Sequence, residues 1–227
     1  VDTIRFLIDP AFADDGSGQW EISPESPLPT VGDPLVISAA EVWDVDDDRP
    51  GIHMTGDSGD GFVFGAGSTG SFLQGLEVSG FARGVMVMAD GITIGTDCDV
   101  AFDARERNVI YDSSVFDIRI EEASETLVRG NYLGVRSDGV TAESLSGSEA
   151  VSIFGAEADD NTIGYVEGTS GVCSLELQRN IIGAAGDVSG IRIESGAPNI
   201  EDGDALLAPD NVRVSGNHIG IGVDGAS

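Results

Sequence analysis

Apolar residues along this chain come in short runs, alternate with polar ones, and are interrupted at close intervals by glycine, asparagine and serine. Phe62-Val63-Phe64, Gly84-Val85-Met86-Val87-Met88 and Val151-Ser152-Ile153-Phe154 are typical. In Ile191-Arg192-Ile193 the two-residue period puts both isoleucines on one face and the arginine on the other. No segment carries an apolar stripe of helical period, and the scattered glycines would break one. The pattern predicts an all-β protein of short strands and close turns, which leaves sandwich, barrel or solenoid.

Internal repetition separates these three. Ile92-Thr93-Ile94-Gly95, Arg107-Asn108-Val109-Ile110, Asp117-Ile118-Arg119-Ile120 and Val128-Arg129-Gly130-Asn131 recur in the same order. The second copies are Asn161-Thr162-Ile163-Gly164, Arg179-Asn180-Ile181-Ile182, Gly190-Ile191-Arg192-Ile193 and Val214-Ser215-Gly216-Asn217, at offsets of 69, 72, 73 and 86 residues. A unit of about 70 residues is therefore duplicated, the signature of stacked coils that bury their apolar faces on one another. The expectation is one domain over residues 1–227, with N-terminal coils in 1–90 and the duplicated unit in 91–227. In Gly130-Asn131 and Gly216-Asn217 the chain must turn a sharp corner, which glycine and asparagine tolerate. Asparagines in successive coils, with Asn108, Asn161, Asn180 and Asn211 as further candidates, are expected to bond to one another in ladders.

Charge narrows the partners. Forty acidic residues face eleven basic ones, all arginine, for a net charge of −29. Such a field repels nucleic acid and anionic membrane surfaces. No apolar run is long enough to span a membrane. The self-repulsion must be screened by high salt or neutralised by bound divalent cations, so salt adaptation and calcium binding are both expected to leave this composition.

The motifs Asn-Val-Ile, Gly-Asn-(Tyr/His)-(Leu/Ile)-Gly followed by Asp-Gly, and Asn-Thr-Ile-Gly resemble the repeats of bacterial and archaeal right-handed parallel β-helix proteins of the pectin-lyase-like superfamily. The opening Asp2-Thr3-Ile4-Arg5-Phe6 and the stretch from Ser26 to Ile37 resemble the first coils of large secreted or surface-attached members. The resemblance implies a right-handed three-sheet solenoid of about eight coils. It also implies an extracellular or cell-surface location, with polysaccharide or other surface proteins as partners. In such relatives a capping segment precedes the first strand and further coils follow, so the chain is expected to be a piece of a longer protein or to have its ends covered. The fold hosts many functions. A structural or adhesive module without catalysis is the first expectation. A polysaccharide lyase or glycoside hydrolase is the alternative, and a calcium-dependent assembly unit is a third.

No catalytic set stands out. Asp159-Asp160-Asn161 offers adjacent acids, and Asp97, Asp99 and Asp103 lie near Arg105 and Arg107, but the superfamily's hydrolase pattern is missing: Ile163 follows Asn161-Thr162, and His218 lies in Gly-Asn-His-Ile-Gly. A lyase base on an outward strand face would be Arg129 or Arg192. For calcium, Asp44-Val45-Asp46-Asp47-Asp48 and Gly56-Asp57-Ser58-Gly59-Asp60-Gly61 have suggestive spacing but lack the rest of a known loop, so the metal ligands stay unknown. Cys98 and Cys173 sit in corresponding loops of the two units, outside any zinc pattern with His53 and His218. A three-coil unit would hold those loops about 14 Å apart, too far for a disulfide unless long loops reach across. Trp20 and Trp43 are expected to be buried rather than to form a sugar platform.

Overall fold

A computed structural model describes residues 1–6, 8, 18–99, 101–143, 148–168, 173–183, 189–195 and 208–220. The protein is all-β and is built on three parallel sheets. The first sheet contains Asp2–Arg5, Leu35–Ser38, Phe72–Gln74, Thr93–Gly95, Leu127–Arg129, Thr162–Gly164 and Arg213–Ser215. The second contains Trp20–Ile22, Ile52–Thr55, Leu76–Ser79, Val109–Tyr111, Tyr132–Leu133, Ile181–Ile182 and His218–Ile219. The third contains Asp60–Phe64, Arg83–Val87, Phe116–Glu121, Glu149–Phe154 and Ile191–Glu194. The chain visits them in fixed rotation, first, second, third, and each strand pairs with its counterpart one rotation on. In the opening rotation the third position is held by Val31, bridged to Phe64. The described residues make six rotations and begin a seventh, fewer than the eight or so expected from sequence.

Parallel pairing in constant register stacks like on like. In the first sheet Ile4, Ile37, Leu73, Ile94, Val128, Ile163 and Val214 form one inward row. Met54, Val78, Ile110, Leu133 and Ile182 do the same in the second. In the third sheet Val85, Ile118 and Val151 run beside Val87, Ile120 and Ile153. The mid-row members are fully buried, while Ile4, Ile193, Val214 and Ile219 at the row ends are 41–47% exposed. Each fully buried aliphatic side chain contributes about 1.5–3 kcal/mol, so the middle rotations carry most of the stability.

The opening connection from the first sheet to the second, residues 6–19, is long, and from the second rotation on these connections alternate in length. Residues 39–51, 96–108 and 165–180 are long, and tight corners at Gly75, Gly130-Asn131 and Gly216-Asn217 separate them. Neighbouring rotations stand about 4.8 Å apart, so long loops on consecutive rotations crowd each other. A loop at every second rotation has twice the room, and it folds over the tight corner next to it. Gly75 N donates to Glu106 O at 3.0 Å, and Gly130 N to Gln178 O at 2.9 Å. A Cβ on Gly130 would stand 2.5 Å from Leu177 O, and the residue's φ is +75°, so contact and backbone both require glycine.

The duplicated unit therefore spans two rotations, not three, and this overturns the separation expected for the cysteines. Cys98 and Cys173, in long loops that flank one tight corner, are joined in a disulfide with Cα atoms 5.2 Å apart. At those corners the asparagine ladder is present. Asn108 Nδ2 donates to Asn131 Oδ1 at 3.0 Å, Asn131 Nδ2 to Asn180 Oδ1 at 3.2 Å, and Asn180 Nδ2 to Asn217 Oδ1 at 2.9 Å. Asn161 stands outside it, at a different corner, where its amide donates to Ala123 O and Ala158 O. Asn211 is exposed with φ +55° and takes no part.

Candidate metal centre

The loop 96–108 collects carboxylates. Asp97, Asp99, Asp103 and Glu106 each offer one oxygen, and these oxygens all lie within 4.8 Å of one another. Local chemistry fixes the arrangement. Asp97 Oδ1 accepts from Asp99 N at 3.0 Å, Asp99 Oδ1 from Ala101 N at 2.7 Å, and Glu106 Oε2 from Asp97 N at 2.9 Å. These short-range bonds are what aspartate prefers outside regular structure. A single 3-10 turn, Asp103–Arg105, then carries Asp103 inward. Arg129 anchors the loop from the next rotation, its Nε donating to Thr96 O at 2.6 Å and Nη2 to Asp97 O at 2.9 Å.

The electrostatics follow from crowding and burial. Glu106, 4% exposed, is pushed up to about 7, chiefly by burial and further by the charges of Asp97 and Asp103. Asp97 is raised for the same first reason, with Asp99 and Asp103 adding to it. Burial draws the Arg129 pKa down, while Asp97, Glu106 and Asp103 oppose that shift. One guanidinium thus stands against four carboxyls. A groove of about 310 Å³ beside the cluster is lined by Gln74, Asp97, Asp99 and Glu106, together with Thr3 and Ser38. Gln74 is 4% exposed, and its Nε2 makes no hydrogen bond. The donor set is all oxygen and negatively charged, which suits a hard cation such as calcium. Calcium takes six to eight oxygens, so a bound ion would draw further ligands from water or the Gln74 amide oxygen.

The other sequence candidates are occupied elsewhere. Arg105 lies over the Phe102 ring at 5.9 Å, and Arg107 turns to the opposite side of the loop. Arg129 does lie on the outward face of its strand, next to inward-facing Val128, but the loop 96–108 covers it, so it is 6% exposed and serves as the loop clamp. Arg192 is outward but held by Glu149, at 2.7 Å, and by Glu194. Asp159 Oδ1 accepts from Asp210 N, and Asp160 sits at a turn with φ +54°, so that pair closes a corner. Asp44 Oδ1 accepts from Asp46 N and Asp47 N, and its Oδ2 from Arg49 Nε at 3.2 Å, which makes the Asp44–Asp48 stretch a hairpin tip. In the Gly56–Gly61 loop, Asp60 is paired with Arg83. His53 bonds Ser79 at 2.8 Å. Trp20 packs against the core, whereas Trp43 stacks on Arg107 at 5.1 Å. Glu106 and Gln74 were not among the expected members of the site. Acids at 97, 99, 103 and 106 in one loop that also holds a cysteine were the available signal.

Compared with protein-family models, curated proteins and solved structures, the chain finds no significant match in any of the three. Among the described residues no helix is long and apolar enough to cross a membrane.

Proposed function

We propose that the chain is a right-handed parallel β-helix of the pectin-lyase-like type and serves as a rigid structural or adhesive module outside the cell. The observation that carries this reading is the unbroken stacking of identical rows through six rotations. Rotations are fastened to one another along the sheets, and the fourth to the seventh also by the asparagine ladder, which suits a part whose work is to hold a shape and present a repeated outer face. The disulfide supports an oxidising compartment, and such compartments are extracytoplasmic in most organisms.

The test is to incubate the chain with acidic and neutral polysaccharides and to measure both retention and chain cleavage. Retention, with no new reducing or unsaturated ends, is the expected result. Release of such ends would overturn it in favour of the lyase or hydrolase reading.

The carboxylate cluster favours a second reading, a calcium-dependent surface assembly unit. Thermal unfolding in low salt, molar sodium chloride and millimolar calcium, with light scattering alongside, tests it. A stability gain with calcium and growth in particle size are expected. A gain with sodium chloride alone would leave the charge as an adaptation to brine.

A further inference from the structure

The two long loops that flank the tight corner at Gly130-Asn131 are each pinned at one end. Arg129 holds Thr96 O and Asp97 O at the start of the first, at 2.6 and 2.9 Å. Gly130 N holds Gln178 O near the close of the second, at 2.9 Å. Val109, Tyr132 and Ile181 are register partners, so Arg107, Gly130 and Arg179, two places earlier, fall at equivalent points of consecutive rotations. The closing ends of the two loops therefore stand about 9.6 Å apart, twice the interstrand distance. Across that gap the Cys98–Cys173 bond brings two Cα atoms to 5.2 Å. Neither cysteine belongs to the apolar cluster that the inward rows form. The disulfide is a strap over the corner, outside the core.

Its two ends differ. Cys173 is fully buried and Cys98 is partly exposed, so a thiolate from solvent reaches the Cys98 sulfur. Cys98 also holds φ +63°, in the left-handed region that a β-carbon disfavours, and opening the bond lets this residue relax. The approach to that sulfur is acidic. Asp97 and Asp99 flank Cys98 in sequence, and oxygens of Asp103 and Glu106 lie within 4.8 Å of theirs. Of the nearby arginines, Arg129 is buried beneath the loop, Arg105 lies over Phe102, and Arg107 faces the opposite side. An attacking thiolate carries a negative charge into this field. The carboxylates oppose it unless the same molecule also carries a cation.

We propose that Cys98 is a thiol-exchange site, selective for thiols that carry an ammonium group over anionic ones, and that exchange there frees the two loops while the core stays folded. The external thiolate attacks Cys98 Sγ, the bond to Cys173 breaks, and Cys173 leaves as a thiolate that takes up a proton. Cys98 is left in a mixed disulfide with the incoming thiol. A second molecule of that thiol attacks the mixed disulfide, which gives the Cys98 thiol and the oxidised reagent. The electron pair gained by the two cysteines is the pair lost by the two thiols.

Reduction of the full chain by cysteamine, 2-mercaptoethanol and 3-mercaptopropionate tests this, at low ionic strength and mildly alkaline pH with a chelator to keep the carboxylates bare. Each rate is divided by that of the same thiol with bis(2-hydroxyethyl) disulfide, which removes differences in thiolate fraction and nucleophilicity. Cysteamine then exceeds 3-mercaptopropionate by about tenfold, and the ratio falls towards unity in molar sodium chloride. Asp97→Asn combined with Asp99→Asn keeps the side-chain oxygens that accept the turn bonds and cuts the ratio to about threefold or less. Acid quenching and peptide mapping place the adduct on Cys98. After full reduction, amides in 96–108 and 173–180 exchange hydrogen about tenfold faster, while Ile94, Val128 and Ile163 stay protected. A ratio near unity at low salt, an adduct on Cys173, unchanged exchange in both loops, or lost protection in the inward rows overturns the proposal.

Discussion

Asn131 is the most heavily bonded side chain in the asparagine ladder, and its removal measures what the ladder contributes. Its Oδ1 accepts from Asn108 N at 3.2 Å and Asn108 Nδ2 at 3.0 Å. Its Nδ2 donates to Ile94 O at 2.9 Å, Arg129 O at 3.1 Å and Asn180 Oδ1 at 3.2 Å. The residue is fully buried, so no water replaces these partners in Asn131→Ala. Asn108 Nδ2 keeps its bond to Leu73 O, and Asn180 Oδ1 keeps the Asn131 backbone N–H, but Asn108 N loses its side-chain acceptor. A buried N–H left unpaired costs about 1–3 kcal/mol, and each lost bond about 1 kcal/mol net. Counting the shared bonds conservatively, the substitution destabilises by about 3–5 kcal/mol. Asn217, half-buried at the end of the row, donates to Ile163 O and accepts only from Asn180, so Asn217→Ala costs about 1–2 kcal/mol. Urea unfolding followed by circular dichroism reads both, as a lower midpoint at unchanged slope. A loss below about 1 kcal/mol for Asn131→Ala, or one no larger than for Asn217→Ala, would refute the reasoning and leave the corners held by their glycines alone.

Reducing the Cys98–Cys173 disulfide, whose partners are 75 residues apart, should lower stability by up to about 4.5 kcal/mol on chain entropy; urea midpoints with and without reductant check this. Asp117, fully buried with Oδ1 unpartnered, is raised by burial to about 8. Between about pH 4 and 8 the folded chain then holds a proton that the unfolded chain has released, so stability falls as pH rises across that window. Asp117→Asn flattens this slope, and the variant gains on the wild type most at pH 8, read from urea curves at several pH values. Arg129→Met leaves the Thr96 and Asp97 carbonyls and three nearby carboxyls without their cation, for a loss of about 3–5 kcal/mol in the same assay. If the carboxylate cluster holds calcium, Asp99→Asn combined with Glu106→Gln abolishes any calcium-dependent rise in melting temperature and leaves the sodium chloride response intact.

The sequence by itself determined the strand period, the all-β class and the duplication. Alternation such as Ile191-Arg192-Ile193 is local, and local sterics fix which face each residue takes. The ladder was legible for the same reason: Asn131 and Asn217 follow corner glycines, and Asn108 and Asn180 recur at the matching place. What only the tertiary structure decided was how many rotations make one repeat. Two short rotations or three shorter ones fit about 70 residues equally well in sequence, and the choice rests on the lateral width between stacked chains. From the second rotation on, long loops stand on alternate rotations, and the arrangement at the sites follows from it. It brings Cys98 to Cys173, lays Arg129 under the loop it clamps, and seats Arg107 and Arg179 on either side of Gly130. Gln74 escaped notice because it meets Asp97 only where the loop folds over a neighbouring rotation, a contact between residues that no sequence spacing relates, whereas Glu106, in the same loop as Asp97, was within reach of a sequence reading.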